Sequence, residues 1–230
     1  MRPDASRYRE RVDEGLESAK ERAWREVAAI DQAYERGELD DEGWHAEAAK
    51  LVVPAYLAAN TPQGGSGHSG TADDWEYSRG IVAEALDRSG TFLDIGCANG
   101  HLMESVSRWA AVEPYGLEIS PELAELARTR LPHWAERIWV GNAWSWEPPH
   151  RFDVVRTGLE YVPAPQRRQY VERLLSYCDR LVIGVFNEER HTQARESQVA
   201  SWGFTVAGRS ERPHPHPALA YRAFWIDAVG

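Results

Sequence analysis

The residues most able to do chemistry in this chain lie around two glycines in residues 92–102, FLDIGCANGHL. This stretch is typical of an apolar strand, a tight turn and the first turn of a helix. Gly96 and Gly100 let the backbone turn sharply and approach a ligand that a Cβ atom would exclude. Asp94 lies at the end of the strand, and its carboxylate suits a ligand that carries positive charge nearby. The stretch therefore predicts a loop that cradles a nucleotide.

The spacing of these glycines differs from that of the commonest nucleotide loops. The dinucleotide fingerprint is G-x-G-x-x-G, whereas Ala98 stands here at the second glycine and the next glycine is residue 100. A diphosphate would also prefer bare backbone amides to an acid at the strand end. NAD and FAD are thus disfavoured, and the sequence contains no Gly-Lys-Ser/Thr phosphate loop.

Residues 93–100, LDIGCANG, resemble motif I of the class I S-adenosylmethionine (SAM)-dependent methyltransferases, D/E-x-G-x-G-x-G, with alanine as a small replacement at the middle glycine. Further landmarks of the family follow in order at residues 115–120, 140–143, 152–155 and 181–185. The resemblance covers about residues 75 to 228. It implies SAM as cofactor and an α/β fold: a seven-stranded, mostly parallel sheet in the order 3-2-1-4-5-7-6, with the last strand antiparallel and an N-terminal helical extension.

The positions that match the family indicate how SAM would be held. Glu118 ends an apolar strand and would accept hydrogen bonds from both ribose hydroxyls. Asn142 would bond the adenine, because an amide both donates and accepts, although a role in the turn after Gly141 stays open. Arg79, on a helix predicted over residues 73–88, could pair with the SAM carboxylate. With Asp94, the other cofactor-binding candidates line the loop, the adenine or a strand end: Gly96, Cys97, Ala98, Gly100, Ile119, Ala143, Trp144 and Thr157.

Three side chains are candidates for the methyl-transfer step. Glu160 and Tyr161 follow the fourth strand, where the resemblance places the edge of the transfer site, and could hold an amine or remove a proton from a hydroxyl. Their alternative role is to start a helix and pack in the core. His68 is the titratable side chain of a glycine-rich loop and has an ordinary pKa suitable for a general base near neutral pH.

The acceptor is expected to be a small molecule. Residues 158–163 are GLEYVP, whereas amino methyltransferases that act on adenine, cytosine or glutamine typically carry Asp/Asn-Pro-Pro-Tyr/Phe at this position. The net charge of −10 also argues against a polyanionic partner, because affinity for nucleic acids comes mainly from Lys and Arg. We expect an amine or hydroxyl acceptor, by analogy in specialised metabolism. The alternatives are an RNA or protein methyltransferase, and a SAM-binding protein without methyl transfer.

The chain is predicted to contain three regions: a helical hairpin (1–60), a glycine-rich loop (61–72) and a SAM-binding core (73–230). Apolar residues spaced by three and four predict a helix from Tyr8 to Tyr34 and a second from about residue 40 to 59, which includes Tyr56 and which Pro54 kinks or ends. The hairpin could cap the substrate side, mediate a homodimer or only stabilise the core. The loop could close over bound SAM, or be a simple flexible linker.

Composition limits the other classes of function. The first ten residues lack an apolar signal core and no run reaches the ~18 apolar residues of a membrane span, so we expect a soluble cytoplasmic protein with no membrane partner. Cys97 and Cys178 are the only cysteines and are expected to be buried thiols. His214 and His216 have no Cys or acid at ligand spacing, so no metal site is expected.

Two further assignments concern the C-terminal half. Residues 203–208 and 221–227 are predicted to be antiparallel strands at the end of the sheet. Arg167 and Arg168 are predicted to be surface charges on a helix, and Cys178 to lie at the end of that helix.

Overall fold

The computed structural model describes residues 25–68, 70–185, 192–215 and 220–228. Contacts divide the chain into two compact units with a boundary between Leu51 and Val52. The sheet and the glycine loop lie in the second unit. None of the helices within the described ranges is both long and apolar enough to cross a membrane.

The second unit contains a seven-stranded sheet in the order β3-β2-β1-β4-β5-β7-β6. The strands are β1 (Gly90–Ile95), β2 (Val112–Glu118), β3 (Ile138–Val140), β4 (Phe152–Thr157), β5 (Cys178–Val185), β6 (Gly208–Pro213) and β7 (Ala220–Asp227). The first five strands pair in parallel, and β7 runs antiparallel to both β5 and β6. This confirms the predicted fold class and strand order.

Short connections bring helices directly against the ends of the strands. The helices are α1 (25–35), α2 (Asp41–Leu57), α3 (Ala72–Arg79), α4 (His101–Trp109), α5 (Pro121–Arg130), α6 (Arg167–Leu175) and α7 (Thr192–Ser201). Thr71 and Asp74 form a capping box at the start of α3. Ser120 caps α5, whose first residue is Pro121. Since α4 and α5 begin a few residues after β1 and β2, their N-termini lie beside the carboxyl ends of these strands.

Both faces of β1 are buried, as expected for a central strand of a parallel sheet. Leu93 lies in one apolar cluster with Tyr170 of α6. Phe92, the preceding residue, lies in a second cluster with Trp75 of α3 and Val106 of α4. The alternation of side chains along the strand thus anchors helices on both faces, and the sheet holds the ends of its strands in fixed positions.

Aromatic packing replaces a helix between β3 and β4, where residues 141–151 form turns only. Tyr115 stacks on Trp139 with ring centroids 5.6 Å apart, and Trp146 lies 5.3 Å from Trp139. His150 packs against Phe152 at 4.4 Å. Trp146 therefore packs on the sheet face, and this edge of the core is covered by rings from the loop.

The first unit has its own polar anchors. Gly37, with φ of +71°, lies in the turn between α1 and α2. Buried Trp44 donates from Nε1 to Asp31 at 2.9 Å. The α2 helix continues past Pro54 to Leu57. Residues 8–24 of the predicted first helix lie outside the described residues, and homodimerisation through these helices stays a prediction.

Several local predictions differ from the structure. The glycine-rich segment contains a 3₁₀ turn at Gly64–Ser66, although no regular element was expected there. Residues 204–207 are not a strand: β6 begins at Gly208, which pairs with Trp225. Cys178 starts β5 rather than ending a helix. Arg167 is buried, and its Nε donates to the Leu159 carbonyl oxygen at 2.9 Å, so its assignment to the surface was wrong.

Candidate functional site

The glycine loop after β1 is held in a left-handed path. Gly96 and Gly100 have φ of +73° and +77°, and Ala98 has φ of +48°. The amides of Gly96 and Cys97 both donate to the Leu117 carbonyl oxygen, at 2.8 and 3.2 Å. A Cβ atom at Gly96 would lie only 2.8 Å from a ring carbon of Tyr161. Glycine is thus needed here for both backbone conformation and space, and the left-handed Ala98 occupies a position that suits glycine.

Glu118 joins the end of β2 to this loop. Its side chain is buried, with 5% of the residue exposed. One carboxylate oxygen accepts from the Ala98 amide at 2.8 Å, and the other accepts from the Ser120 amide at 3.0 Å. Burial raises the pKa of Glu118, while these amides lower it. A carboxylate has about four acceptor sites, so each oxygen can accept one further hydrogen bond from a ligand such as a diol.

Asp94 and Arg156 form a buried ion pair across β1 and β4. The two residues are in register on adjacent strands, and Arg156 Nη1 lies 3.1 Å from Asp94 Oδ1. Burial raises the pKa of Asp94 to about 6, and the Arg156 guanidinium opposes that rise. Burial lowers the pKa of Arg156, but Tyr161, Asp94 and Glu160 raise it by more, so it stays above its ordinary value. Arg156 therefore remains charged, and Asp94 is the group that titrates.

Arg156 was not among the predicted site residues. The signal available in the sequence was an arginine inside FDVVRT, the otherwise mostly apolar segment of β4. Charged side chains are rarely buried without a partner, so this arginine pointed to a buried ion pair. Its Nη1 also donates to the Tyr161 hydroxyl at 3.3 Å. The pair therefore connects motif I to the turn after β4.

Glu160 and Tyr161 lie on a 3₁₀ turn, Leu159–Tyr161, at the end of β4. Burial raises the pKa of Tyr161 far above its ordinary value, so its phenol stays protonated at neutral pH. This argues against proton removal by Tyr161 and favours a role in shaping the glycine loop. Glu160 is exposed, and its charge acts on both Arg156 and Tyr161. Of the two, Glu160 remains the candidate for contact with an acceptor.

His68 does not have the properties of the predicted general base. Burial and the charge of Arg79 lower the pKa of His68 to about 4, so the ring is neutral at physiological pH and a weak base. Its Nε2 is buried and has no hydrogen-bond partner among the residues described. The ring lies edge-on to Trp75, with centroids 5.9 Å apart. The structure thus favours a packing role for His68.

Arg79 brings a second buried positive charge to this region. Only 4% of the residue is exposed. Its guanidinium lies 5.3 Å from the centroid of the Trp75 ring, and its Nη1 donates to Ser78 at 3.3 Å. Its charge acts on His68 and on Tyr56. A buried guanidinium near the glycine loop suits a carboxylate ligand, as predicted for SAM.

Asn99 fastens the glycine-rich segment to the glycine loop. Its Oδ1 accepts from Ser66 Oγ at 2.7 Å and from the His101 amide at 3.1 Å. Its Nδ2 donates to the Pro62 carbonyl oxygen at 2.7 Å. Sequence reasoning missed this role, because a pairing between two loops 33 residues apart follows no periodic pattern. The segment around Ser66 therefore lies against motif I.

The side chains predicted to surround the adenine lie after β2 and β3. Asn142 Oδ1 accepts from the Trp144 amide at 2.8 Å, which is the turn role left open by the sequence. Trp144 packs against the core and Ala143 is buried. Ile119, directly after Glu118, is 37% exposed and presents apolar surface beside the end of β2.

Two predicted binding residues point into the protein. Thr157 is fully buried, and its hydroxyl shares a 2.7 Å hydrogen bond with Tyr170, so it belongs to the core. The Cys97 thiol is buried and faces Gly116, where an added Cβ would lie 2.7 Å from the sulfur. Burial raises the pKa of Cys97 well above its ordinary value. Only backbone atoms of Cys97 are therefore suited to contact a ligand.

Comparison with known proteins gives a match at the same place. Residues 92–179 match the family described as methyltransferase domain. Two trans-aconitate 2-methyltransferases of Rhodopseudomonas palustris are 31% identical over 84 residues and 30% identical over 100 residues. The matches cover 36% and 43% of this chain but only 32% and 38% of these relatives. The chain thus matches about a third of the length of these curated relatives.

Solved structures share the fold at low sequence identity. The N-methyltransferase NodS of Bradyrhizobium japonicum, in complex with S-adenosyl-L-homocysteine (SAH), superposes with a TM-score of 0.59 at 16% identity, over 76% of this chain and 96% of that one. The 1,6-didemethyltoxoflavin-N1-methyltransferase of Burkholderia thailandensis gives 0.62 at 18% identity, over 84% and 92%. The family match, the motif at residues 93–100 and the strand order agree with one another: residues 92–179 match a methyltransferase domain, and the sheet has the class I SAM-dependent methyltransferase fold.

Proposed function

We propose that this chain binds SAM and transfers its methyl group to a small-molecule amine or hydroxyl. The observation that carries the proposal is the position of Glu118, a buried carboxylate that holds the Ala98 amide and keeps acceptor sites for a diol. The ribose of SAM offers such a diol. The left-handed turn at Gly96 also lets a ligand approach the backbone closely, so the residues fit this cofactor.

The chain's own residues would bind and orient the reactants. Bound SAM would supply a methyl group on a sulfonium for direct displacement. Asp94, which is negatively charged above its pKa of about 6, would attract the positively charged methionine part. Arg79 would pair with the carboxylate of that part. Such a site accelerates the reaction mainly by alignment and by exclusion of water.

Glu160 supports an amine or hydroxyl as acceptor. It is exposed at the carboxyl end of β4, where open α/β sheets bind their ligands, and its charge reaches Arg156 and Tyr161 inside the site. A carboxylate in this position can hold an ammonium group or take the proton of a hydroxyl. We therefore assign the contact with the acceptor to Glu160 rather than to His68.

The distribution of surface charge supports a small acceptor over an RNA. Five exposed arginines are each within ion-pair distance of an acidic side chain: Arg36 with Glu38, Arg108 with Glu76, Arg151 with Asp179, Arg168 with Glu172 and Arg209 with Glu196. A surface that binds phosphates needs basic groups whose charge is not already balanced. Together with the net charge of −10, this disfavours a polyanionic substrate.

The proposal is tested by incubating the protein with methyl-labelled SAM and separate small-metabolite, RNA and protein fractions of the source cell. Trans-aconitate, the acceptor named for the relatives, is included as a defined carboxylate, and label on it would replace the proposed amine or hydroxyl by a carboxylate. Asp94→Asn serves as the control, because it keeps the shape of the side chain and removes its charge. We expect label among small metabolites, and less of it with the control variant.

Each other result has a definite meaning. Label in RNA or protein would replace the proposed acceptor by a macromolecule. Binding of SAM without transfer to any fraction would favour a SAM-binding protein that is not an enzyme. Absence of SAM binding by isothermal titration calorimetry would refute the proposed function itself.

A further inference from the structure

Tyr56 lies in the last turn of α2 and faces the glycine-rich segment rather than belonging only to the helical hairpin. A Cβ atom at Gly67, which has φ of +77°, would overlap the Tyr56 hydroxyl. A Cβ atom at Gly65 would lie 3.5 Å from the Tyr56 carbonyl oxygen. The segment that carries these glycines is tied to motif I by Asn99. The ring of Tyr56 is therefore held against a segment that itself lies on the glycine loop.

The charges of the candidate site reach Tyr56 from several elements. Its pKa is lowered by Arg79 of α3 and Arg156 of β4, and raised by Glu118 of β2 and Glu160 of the turn after β4. These residues are far apart in sequence, and Glu118, Arg156 and Glu160 lie at or just after the carboxyl ends of β2 and β4. The pKa of Tyr56 thus responds both to Arg79 and Glu118, the candidates for SAM binding, and to Glu160, the candidate for contact with the acceptor.

The hydroxyl of Tyr56 has the properties of a hydrogen-bond donor. Burial is the largest effect on its pKa and raises it, so the phenol keeps its proton at neutral pH. Within the described part of the chain, this hydroxyl forms no hydrogen bond. A protonated phenol in a largely buried position usually finds a partner. A bound ligand is a natural source of that partner.

We propose that Tyr56 is a cofactor-binding residue, whose hydroxyl donates a hydrogen bond to the carboxylate of the methionine part of SAM beside Arg79. The inference rests on the proposed function and names a contact that the sequence motifs do not include. Glu118 is assigned to the ribose hydroxyls of SAM, and Asp94 to the positive charge of its methionine part. The group of SAM that remains for a hydrogen-bond donor is the anionic carboxylate of the methionine part. After burial, the charge of Arg79 has the largest effect on the pKa of Tyr56. A carboxylate can accept hydrogen bonds from both side chains at once.

The test compares two ligands that differ in the methionine part. SAH contains the carboxylate, whereas 5′-methylthioadenosine keeps the adenine, the ribose and the sulfur and lacks the amino-acid part. Their dissociation constants are measured by calorimetry for the wild-type protein, for Tyr56→Phe and for the matched control Tyr77→Phe. Tyr77 lies on α3 and 44% of the residue is exposed. Tyr56→Phe is expected to weaken SAH about tenfold, as for a hydrogen bond to a charged group, and to leave methylthioadenosine unchanged. Tyr77→Phe should change neither.

Three results would overturn the inference. An equal loss for both ligands would show that Tyr56 only stabilises the segment around Gly67, and unchanged affinity for both would show that it makes no contact with the cofactor. A wild-type protein that binds neither ligand would overturn the proposed function and this inference with it. Thermal unfolding without ligand checks that Tyr56→Phe folds. If it does not, the same ligand comparison with Arg79→Lys must give a loss for SAH alone, or the shared carboxylate site is refuted.

Discussion

Replacement of Glu118 by glutamine tests the connection between β2 and the glycine loop. In the free protein the two carboxylate oxygens accept from the amides of Ala98 and Ser120, at 2.8 and 3.0 Å. Glutamine has one oxygen and one NH₂ group, so it can accept from only one of these amides. The other amide would face a donor in a buried position. Glu118→Gln should therefore affect both stability and cofactor binding.

The two effects have different sizes. One buried amide without an acceptor costs about 1–3 kcal/mol of folding free energy. On binding, the variant also loses a charge-assisted hydrogen bond from a ribose hydroxyl, worth about 1.5–3 kcal/mol, which corresponds to roughly a tenfold to hundredfold weaker affinity. Glu118→Asp keeps both acceptors with a shorter reach and should lie between wild type and Glu118→Gln.

Calorimetric titration with SAH measures the binding effect, and urea unfolding without ligand measures the stability effect. The matched control is Glu113→Gln, the same change on the same strand β2 at a side chain that is 62% exposed and lies 3.8 Å from Arg137. We expect the control to change neither quantity appreciably, because exposed ion pairs contribute little. Wild-type affinity for SAH in Glu118→Gln would refute the assignment of Glu118 to the ribose.

Three other perturbations test the site. Lowering the pH through about 6 should weaken SAM binding, because Asp94 gains a proton and loses its charge. The variant Asp94→Asn should bind SAM weakly at every pH, without this dependence. Calorimetry at several pH values checks both expectations. His68→Ala should leave the shape of the pH–rate profile unchanged above about pH 6, since the pKa of His68 of about 4 keeps the ring neutral there. If the variant instead loses a pH-dependent step near the ordinary pKa of histidine, His68 is the general base after all. Asn99→Ala removes the acceptor of Ser66 and the donor to Pro62, so stopped-flow fluorescence should show faster SAH release, and an unchanged rate would show that this contact does not retain the cofactor.

The fold was predictable because its signals are local and repeated. An apolar segment before the glycine turn marked β1, and the landmarks of the family resemblance fall on β2, β4 and β5. Strand order came from the family resemblance rather than from pattern. The start of β6 was misplaced, since a strand at the edge of a sheet is fixed by its pairing with β7 and not by its own residues.

The positions of the candidate residues were predictable where a residue both ends a strand and belongs to a motif, as Asp94 and Glu118 do, while their roles stay predictions. Arg156 was missed because its role depends on the register of β4 beside β1, which the sequence of β4 alone does not specify. Thr157 was misassigned for the related reason that successive residues at the end of a strand alternate between faces. Its neighbour Arg156 reaches Asp94, while Thr157 faces Tyr170 in the core.

The contrast between His68 and Asn99 shows why residue type alone does not identify the functional group of a loop. A histidine suggested a general base, yet burial beside Arg79 keeps the ring neutral and weakly basic. The amide of Asn99 has no titration to attract notice, and it makes the contacts that set the position of Pro62 and Ser66 on motif I. In this site the environment decides which side chains carry charge. The neighbours of a loop residue are therefore a better guide to its chemistry than its intrinsic pKa.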